Sequence, residues 1–336
     1  EYHCKILYLC NIRIRTAPSS YILKGGSIMK MKRMLVCCLF LSLSCMHSYA
    51  SDSIQIKEDL LYDKYTLNDT YKYGKEEREI QWSKIKQGLR NIDNFEHEYL
   101  TFGFLQNVKN TNGKPPVTKD FIKTKWNYIT DSLGVRQSQA IPLYDLNDLS
   151  QPAIYGRDGA LIAILSDSLD YYKIAIASKE GEWYVPKKYV FDLGPVHFDK
   201  VIFVDRKNQN IVTLEYSDGE WLVRSKNPAT TGLNHPPYKE ATPLGIYVLQ
   251  HKLAKMVYLK DGSNEVGGYA PYANRFSDGA YIHGVPVNVP NTEMVEYSST
   301  LGTTPRSHMC VRNATSHAKF IYDWAPVNGT LVYVIE

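Results

Sequence analysis

From Gln139 to the C-terminus the apolar residues recur with a period of two, in short runs bounded by turn residues. This constrains the fold more than any other feature, because successive side chains on a strand point to opposite faces and a sheet buries that alternation. Runs at Ala160–Leu165, Tyr171–Ala177 and Trp183–Val190, separated by Asp-Ser and Glu-Gly turns, read as a small antiparallel barrel over residues 137–194. Beyond residue 195, Lys200–Asp205 and Asn210–Tyr216 form a hairpin through Arg206-Lys207-Asn208-Gln209. Strands then follow at Trp221–Ser225, Leu244–Gln250, Met256–Leu259, Ala280–His283 and Leu331–Ile335, and only Ser316–Trp324 has a helical pattern. Residues 195–336 are therefore expected to form a mainly β domain, long enough to bury its own core.

Upstream the period lengthens. Residues 51–75 are polar and rich in Tyr and Asp, an extended lead-in. Trp82, Ile85, Leu89 and Ile92 fall on one face of an amphipathic helix. Glu76, Glu77 and Glu79 stand at its expected start, where the helix dipole favours acids. Ile122, Trp126, Ile129 and Leu133 repeat the spacing and predict a second helix over 119–133, ended by Gly134. Asn110–Pro116 between them is loop chemistry. Residues 51–136 thus read as a mostly helical region whose apolar stripes are core.

The first fifty residues read as an upstream extension and an export signal. Met29, Met31 and Met34 are candidate initiators, Lys30, Lys32 and Arg33 form a basic segment, and Leu35–Cys45 is an apolar run too short to span a bilayer. Ser48-Tyr49-Ala50 predicts cleavage after Ala50, with lipidation of Cys45 as the minority alternative. The expected destination is the periplasm or cell envelope. Seven of the 39 Lys/Arg and one of the 35 Asp/Glu lie in this segment, leaving 32 bases and 34 acids. The apparent basicity vanishes, and with it any compositional case for nucleic acid. No apolar run long enough for a transmembrane helix remains. Cys4, Cys10, Cys37, Cys38 and Cys45 also go, so Cys310 stands alone and no intramolecular disulfide is possible.

Cys310 lies in Ser307-His308-Met309-Cys310-Val311-Arg312, downstream of Tyr281-Ile282-His283-Gly284. A thiol nucleophile needs a base or a positive field, and two histidines and two arginines occur within the same thirty residues. An inert core thiol would have apolar neighbours. His283, His308 and Cys310 as zinc ligands would leave a tight His-x-Cys spacing and a remote third ligand, so no metal or other cofactor is expected. His235 and His251 read as structural or exposed, and His317 as the solvated face of the C-terminal helix.

These residues resemble the L,D-transpeptidases, cysteine enzymes that cross-link peptidoglycan. Their pattern is His-Gly, a loop, then Ser-His-Gly-Cys, a hydrophobic residue and Arg or Asn. It matches His283-Gly284 and Ser307 to Arg312, and the upstream Thr-Pro-x-Gly matches Thr242-Pro243-Leu244-Gly245. Val201–Asp205, Ile211–Glu215 and Thr230-Thr231-Gly232 look like the opening strands and turn of that domain. The resemblance covers about 195–336 and implies a β-sandwich-like catalytic domain. Gly181–Pro186 similarly resembles the closing segment of bacterial Src-homology-3 modules. The family likeness makes Cys310 the nucleophile, His283 the base and the Gly284 carbonyl its orienter. It places Ser307, His308, Met309 and Arg312 around substrate or oxyanion. It implies peptidoglycan tetrapeptide stems as substrate, carbapenem-type inhibitors and 3→3 cross-links. The alternatives are an L,D-carboxypeptidase using water, or an inactive wall-binding protein.

Two departures stand out. Met309 replaces the family's Gly, and a turn with positive φ there would strain it. Twenty-seven positions separate His283 from Cys310, longer than usual, so Val285–Thr300 is expected to form a surface loop or lid.

Overall fold

The computed structural model describes residues 54–336. The export signal, its cleavage site and Cys45 lie outside the described residues. Val201–Val204 is an uninterrupted apolar run, and it lies in the strand Lys200–Asp205, buried on both faces and paired in parallel with Thr330–Ile335 and antiparallel with Asn210–Ser217. Continuous apolar strands are expected where both faces of a sheet are covered. This pair centres a six-stranded sheet whose order is Ile56–Glu58, Glu220–Pro228, Asn210–Ser217, Lys200–Asp205, Thr330–Ile335 and Gly245–Val248. Asp205 closes its first hairpin, accepting the Lys207 and Asn208 N–H groups at 2.8 and 2.9 Å.

Helix α1, Trp82–Glu98, covers one face. Ile85, Leu89 and Ile92 pack with Val201, Phe203, Val212 and Leu214. The approach is close because residue 88 is glycine: a Cβ there would lie 2.7 Å from the Phe203 ring. The other face meets a second sheet made of His251–Leu259, Val266–Ser277, Ala280–His283 and Val311–Arg312, together with helix α2, Thr315–Trp324. Ile202 and Val204 share that core with Ile282, Val311, Ile321 and Ala325. The mainly β expectation and the sandwich-like layering are both met.

Two of the three predicted barrel strands are present, but the third, Trp183–Val190, is broken after Pro186 by a 3-10 turn at Lys187–Tyr189, and the sheet reaches further back than residue 137. Its order is Lys179–Pro186, Tyr171–Ile176, Leu161–Asp167, Phe102–Leu105 and Val190–Gly194. Leu105, Ile162, Ile174 and Val185 from this sheet belong to the same core cluster as Ile202 and Val311. By contacts, the described residues form one unit.

Five expectations are corrected. Residues 119–133 are not helical: Ile122–Lys123 pairs antiparallel with Ile129–Thr130 around a turn in which Asn127 adopts φ 63°. Their stripe is not core either, since Ile122, Trp126 and Leu133 are 53 %, 38 % and 59 % exposed. Among the described residues, 54–136 hold one α-helix, so the expected mostly helical 51–136 region is not found. Glu76–Glu79 is a strand against Thr70–Tyr73, so these acids do not sit in the first turn of α1. His317 is fully buried on α2 rather than solvated, with Ser225 Oγ 2.9 Å from its Nε2 and Asn313 Oδ1 3.2 Å from its Nδ1. Burial pushes its pKa down to about 3, which keeps the imidazole neutral.

Leu89→Ala should lower the unfolding free energy by about 2–5 kcal/mol, the range for a fully buried leucine. Denaturant unfolding followed by circular dichroism checks it. A loss no larger than that of an exposed substitution would contradict the packing of α1.

Candidate active site

The strand Ala280–His283 ends at the predicted base. It pairs in parallel with Val311–Arg312, placing Ile282 beside Val311 and His283 beside Arg312. The Asn313 N–H donates to the His283 carbonyl at 2.9 Å, and Thr230 exchanges two 2.9 Å backbone bonds with Arg312 on the other side. Cys310 immediately precedes this short strand. His283, Ser307, His308, Cys310 and Arg312 line one cavity of about 660 Å³, with Met256, Tyr258 and Leu259 supplying apolar wall. Five of the seven residues singled out in the sequence thus converge there. The other two lie behind it. Gly284 supports His283, and the Met309 side chain packs against the main core cluster.

His283 is buried, and its Nδ1 lies 2.6 Å from the Gly284 carbonyl. A carbonyl only accepts, so the proton sits on Nδ1 and the Nε2 lone pair is left free. Burial lowers the imidazole to about 4, the Gly284 bond opposes that, and the Arg312 charge adds to the lowering. Cys310 is half-buried. Its Sγ donates to the Gly279 carbonyl at 3.4 Å. Burial pushes the thiol up, while the Tyr281 backbone N–H and the Arg312 charge pull it down. At neutral pH the resting pair is therefore a neutral imidazole and a neutral thiol.

Met309 adopts φ 92°, the left-handed region that disfavours side chains. Two neighbours hold it there. The Thr242 hydroxyl donates to the Met309 carbonyl and accepts the Gly232 N–H, both at 2.8 Å. A Cβ on Gly232 would lie 2.7 Å from the Met309 Cα, so only glycine allows this contact. Gln209, in the first hairpin, accepts the Thr231 N–H at 2.9 Å and donates to its hydroxyl at 2.8 Å. Thr242 of the Thr-Pro-x-Gly segment thus clamps the turn that carries Cys310. Ser307 is buried, and its hydroxyl closes the same turn by donating to the Cys310 carbonyl.

His308 is exposed and pairs through Nε2 with Asp261 at 2.7 Å. Asp261 sits at the tip of the His251–Ser277 hairpin, 47 positions upstream, and no spacing rule could have linked the two. Arg312 has its Nε buried without a hydrogen-bond partner. No cluster of three or more His, Cys, Asp or Glu side chains that could hold a metal occurs among the described residues.

The segment Val285–Thr300 is a pinned surface loop. Its first part lines the cavity through Pro286 and Asn288. Further on, Lys64 reaches Glu296 at 2.8 Å, Tyr65 packs on Tyr297 at 4.5 Å, and the Thr315 N–H donates to the Glu296 carbonyl at 2.8 Å.

Residues 199–334 match the family model of the L,D-transpeptidase catalytic domain. This segment is an L,D-transpeptidase catalytic domain. Comparison with curated proteins gave no match. Solved structures with some likeness include a fused Zn-dependent amidase/peptidase/peptidoglycan-binding domain-containing protein from Clostridium acetobutylicum, at 21 % identity and TM-score 0.31, covering 42 % of this chain and 53 % of that one. This chain thus spans about half of that protein's length. An L,D-transpeptidase from Mycobacterium smegmatis is 18 % identical with TM-score 0.34, covering 52 % and 82 %. L,D-transpeptidase 3 from Mycobacterium tuberculosis, bound to a faropenem-derived adduct, is 20 % identical with TM-score 0.32, covering 46 % and 73 %. The family assignment rests on the 199–334 match.

The transpeptidase domain depends on the Thr242 clamp. Thr242→Val keeps the shape but leaves a buried N–H and a carbonyl unpaired, so stability should fall by about 1–3 kcal/mol. Alkylation of Cys310 should also change in rate as the turn relaxes. A thermal melt and a thiol-labelling time course matching the parent would rule out the clamp.

Proposed function

We propose that this protein is a peptidoglycan L,D-transpeptidase that forms 3→3 cross-links through a thioester on Cys310. The observation that carries this reading is the shared cavity in which the Cys310 thiol and a neutral, Nδ1-anchored His283 lie beside the unpaired Arg312 donor. In this reading Cys310 Sγ attacks the carbonyl of the third, diamino-acid residue of a tetrapeptide stem, and its proton passes to His283 Nε2. The imidazolium so formed is steadied by the Gly284 carbonyl. Backbone N–H groups of Met309 and Cys310 receive the oxyanion. Met309 in place of Gly keeps its N–H and the positive φ of the turn, which supports an active site over an inactive wall-binding module.

Collapse of the intermediate expels D-Ala, which takes the proton from His283. The amine of a neighbouring stem then attacks the thioester, giving the cross-link. Attack by water would give an L,D-carboxypeptidase. His308 and Arg312 are assigned to substrate positioning, with Arg312 facing a carboxylate or carbonyl of the donor stem. A carbapenem acylates the same thiol. The export signal read in residues 29–50 puts the reaction at the periplasmic cell envelope. No helix among the described residues is long and apolar enough to cross a membrane.

Intact mass spectrometry after incubation with a disaccharide-tetrapeptide, and separately with a carbapenem, tests the nucleophile. An adduct mapping to Cys310 and absent from Cys310→Ser is the expected result. Cross-linked dimer identifies the transpeptidase, and truncated tripeptide alone identifies the carboxypeptidase. No adduct on a folded protein would overturn the reading.

The pH dependence follows from His283. Its base form is neutral, so acylation should be lost as pH falls through about 4 and should be flat up to neutrality. A preformed thiolate–imidazolium pair would instead show activity rising as the thiol ionises below neutrality and falling at alkaline pH as the imidazolium loses its proton. A stopped-flow profile of carbapenem acylation distinguishes the two.

A further inference from the structure

Asp158 belongs to the N-terminal sheet region, just before the strand Leu161–Asp167, and its side chain is wholly buried. One oxygen accepts the Asn107 and Val108 N–H groups at 2.7 and 3.0 Å. The other accepts Arg275 Nη1 at 2.6 Å, Gln250 Nε2 at 3.1 Å and the Asp278 N–H at 3.1 Å. Gln250 also donates to the Phe276 carbonyl at 2.9 Å and accepts Arg275 Nη2 at 2.9 Å. The neighbouring Gly159 lets the two backbones meet, since a Cβ there would lie 1.9 Å from the Phe276 oxygen.

Every one of those catalytic-domain partners leads to the turn between Val266–Ser277 and Ala280–His283. Asp278 in that turn adopts φ 38°, a conformation that needs outside support. The next residue, Gly279, presents the carbonyl that accepts the Cys310 thiol, and the Tyr281 backbone bonds the same sulfur. We propose that Asp158 is a positioning residue for Cys310: through Arg275, Gln250 and the Asp278 N–H it fixes the 277–281 turn against the nucleophilic sulfur. The N-terminal sheet is thereby a brace for the active site as well as a neighbour of it. The inference rests on the reading of Cys310 as the nucleophile.

The ionisable groups sharing the Cys310 cavity are His283, His308, Arg312, Tyr258, Lys260 and Asp261. Tyr281 meets the thiol from the turn, and Asp158 and Arg275 lie behind it. Burial and the Asp158 charge push Asp278 up to about 8, against the Arg157 guanidinium 3.8 Å away, while Asp158 pairs with Arg275 at 2.6 Å. The two ways Asp158 could influence the thiol have opposite signs. Removing its negative charge alone favours the thiolate. Releasing the turn withdraws the Tyr281 N–H from the sulfur and disfavours the thiolate.

The test is site-resolved iodoacetamide alkylation of Cys310 across neutral to alkaline pH, read by peptide mapping in the full chain. Asp158→Asn should move the profile to higher pH, with alkylation at neutral pH roughly tenfold slower, the size expected when a hydrogen bond to a thiolate is lost. Carbapenem acylation should slow in parallel. Leu89→Ala, destabilising but remote, should leave the profile in place. If Asp158→Asn shows no cooperative melt, Arg275→Lys, which keeps the charge and loses the two-pronged contact, should give a smaller shift in the same direction. An unchanged or downward-shifted profile in a folded variant, or an equal shift in Leu89→Ala, overturns the proposal. Alkylation needs no substrate, so a wild-type protein without turnover would defeat the catalytic reading and leave this result interpretable.

Discussion

Two residues hold the catalytic domain's parts in register. Val311 and Arg312 form a strand only two residues long, parallel to Ile282–His283 on one side and bonded to Thr230 on the other. Val311 is fully buried between the two sheets, so the strand cannot slip by one residue without exposing it and burying Arg312 entirely. That register places the Cys310 turn beside the end of the His283 strand. A chain interval of 27 positions has little entropic hold on the approach of two side chains. The sheet supplies the hold instead.

The turn before that strand carries strain in an ordered way. Met309 at positive φ is opposed by steric cost, and the Thr242 hydroxyl, the Gly232 backbone and the Ser307 hydroxyl over-determine it. The Met309 side chain meanwhile enters the core, so part of the cost is offset by burial. The same enclosure sets the electrostatics. Burial favours the neutral forms of both the His283 imidazole and the Cys310 thiol.

Behind the cavity the N-terminal sheet and the catalytic sheets share one core cluster, and a buried carboxylate crosses their boundary. Buried charges are tolerated when fully partnered, and Asp158 meets five donors. On the other flank the lead-in residues Lys64 and Tyr65 pin the loop that separates the two motifs. Both contacts join segments more than a hundred positions apart, and neither leaves a periodic trace in the chain.

Local pattern was enough where one physical signal dominated. Short apolar runs bounded by turn residues named the strands Lys200–Asp205, Asn210–Ser217 and Ala280–His283, and the Trp82–Ile92 stripe named α1. The His-Gly, Thr-Pro-x-Gly and Ser-His-x-Cys segments named the family. Pattern failed at 119–133, where a 3.6-residue spacing coincided with a Trp-Asn turn between short strands and no tertiary partner covered the stripe. It also missed the long Val266–Ser277 strand, whose Gly267, Gly268 and Pro271 break the alternation although the ladder to His251–Leu259 survives them. His317 looked solvated because helical spacing does not say which face meets a neighbour. The sequence by itself determined which residues could do chemistry, since thiol, imidazole and guanidinium are covalent facts. Only the tertiary structure decided their protonation, the Asp261 partner of His308 and the Asp158 brace, because burial and long-range contacts exist only once distant segments share a core.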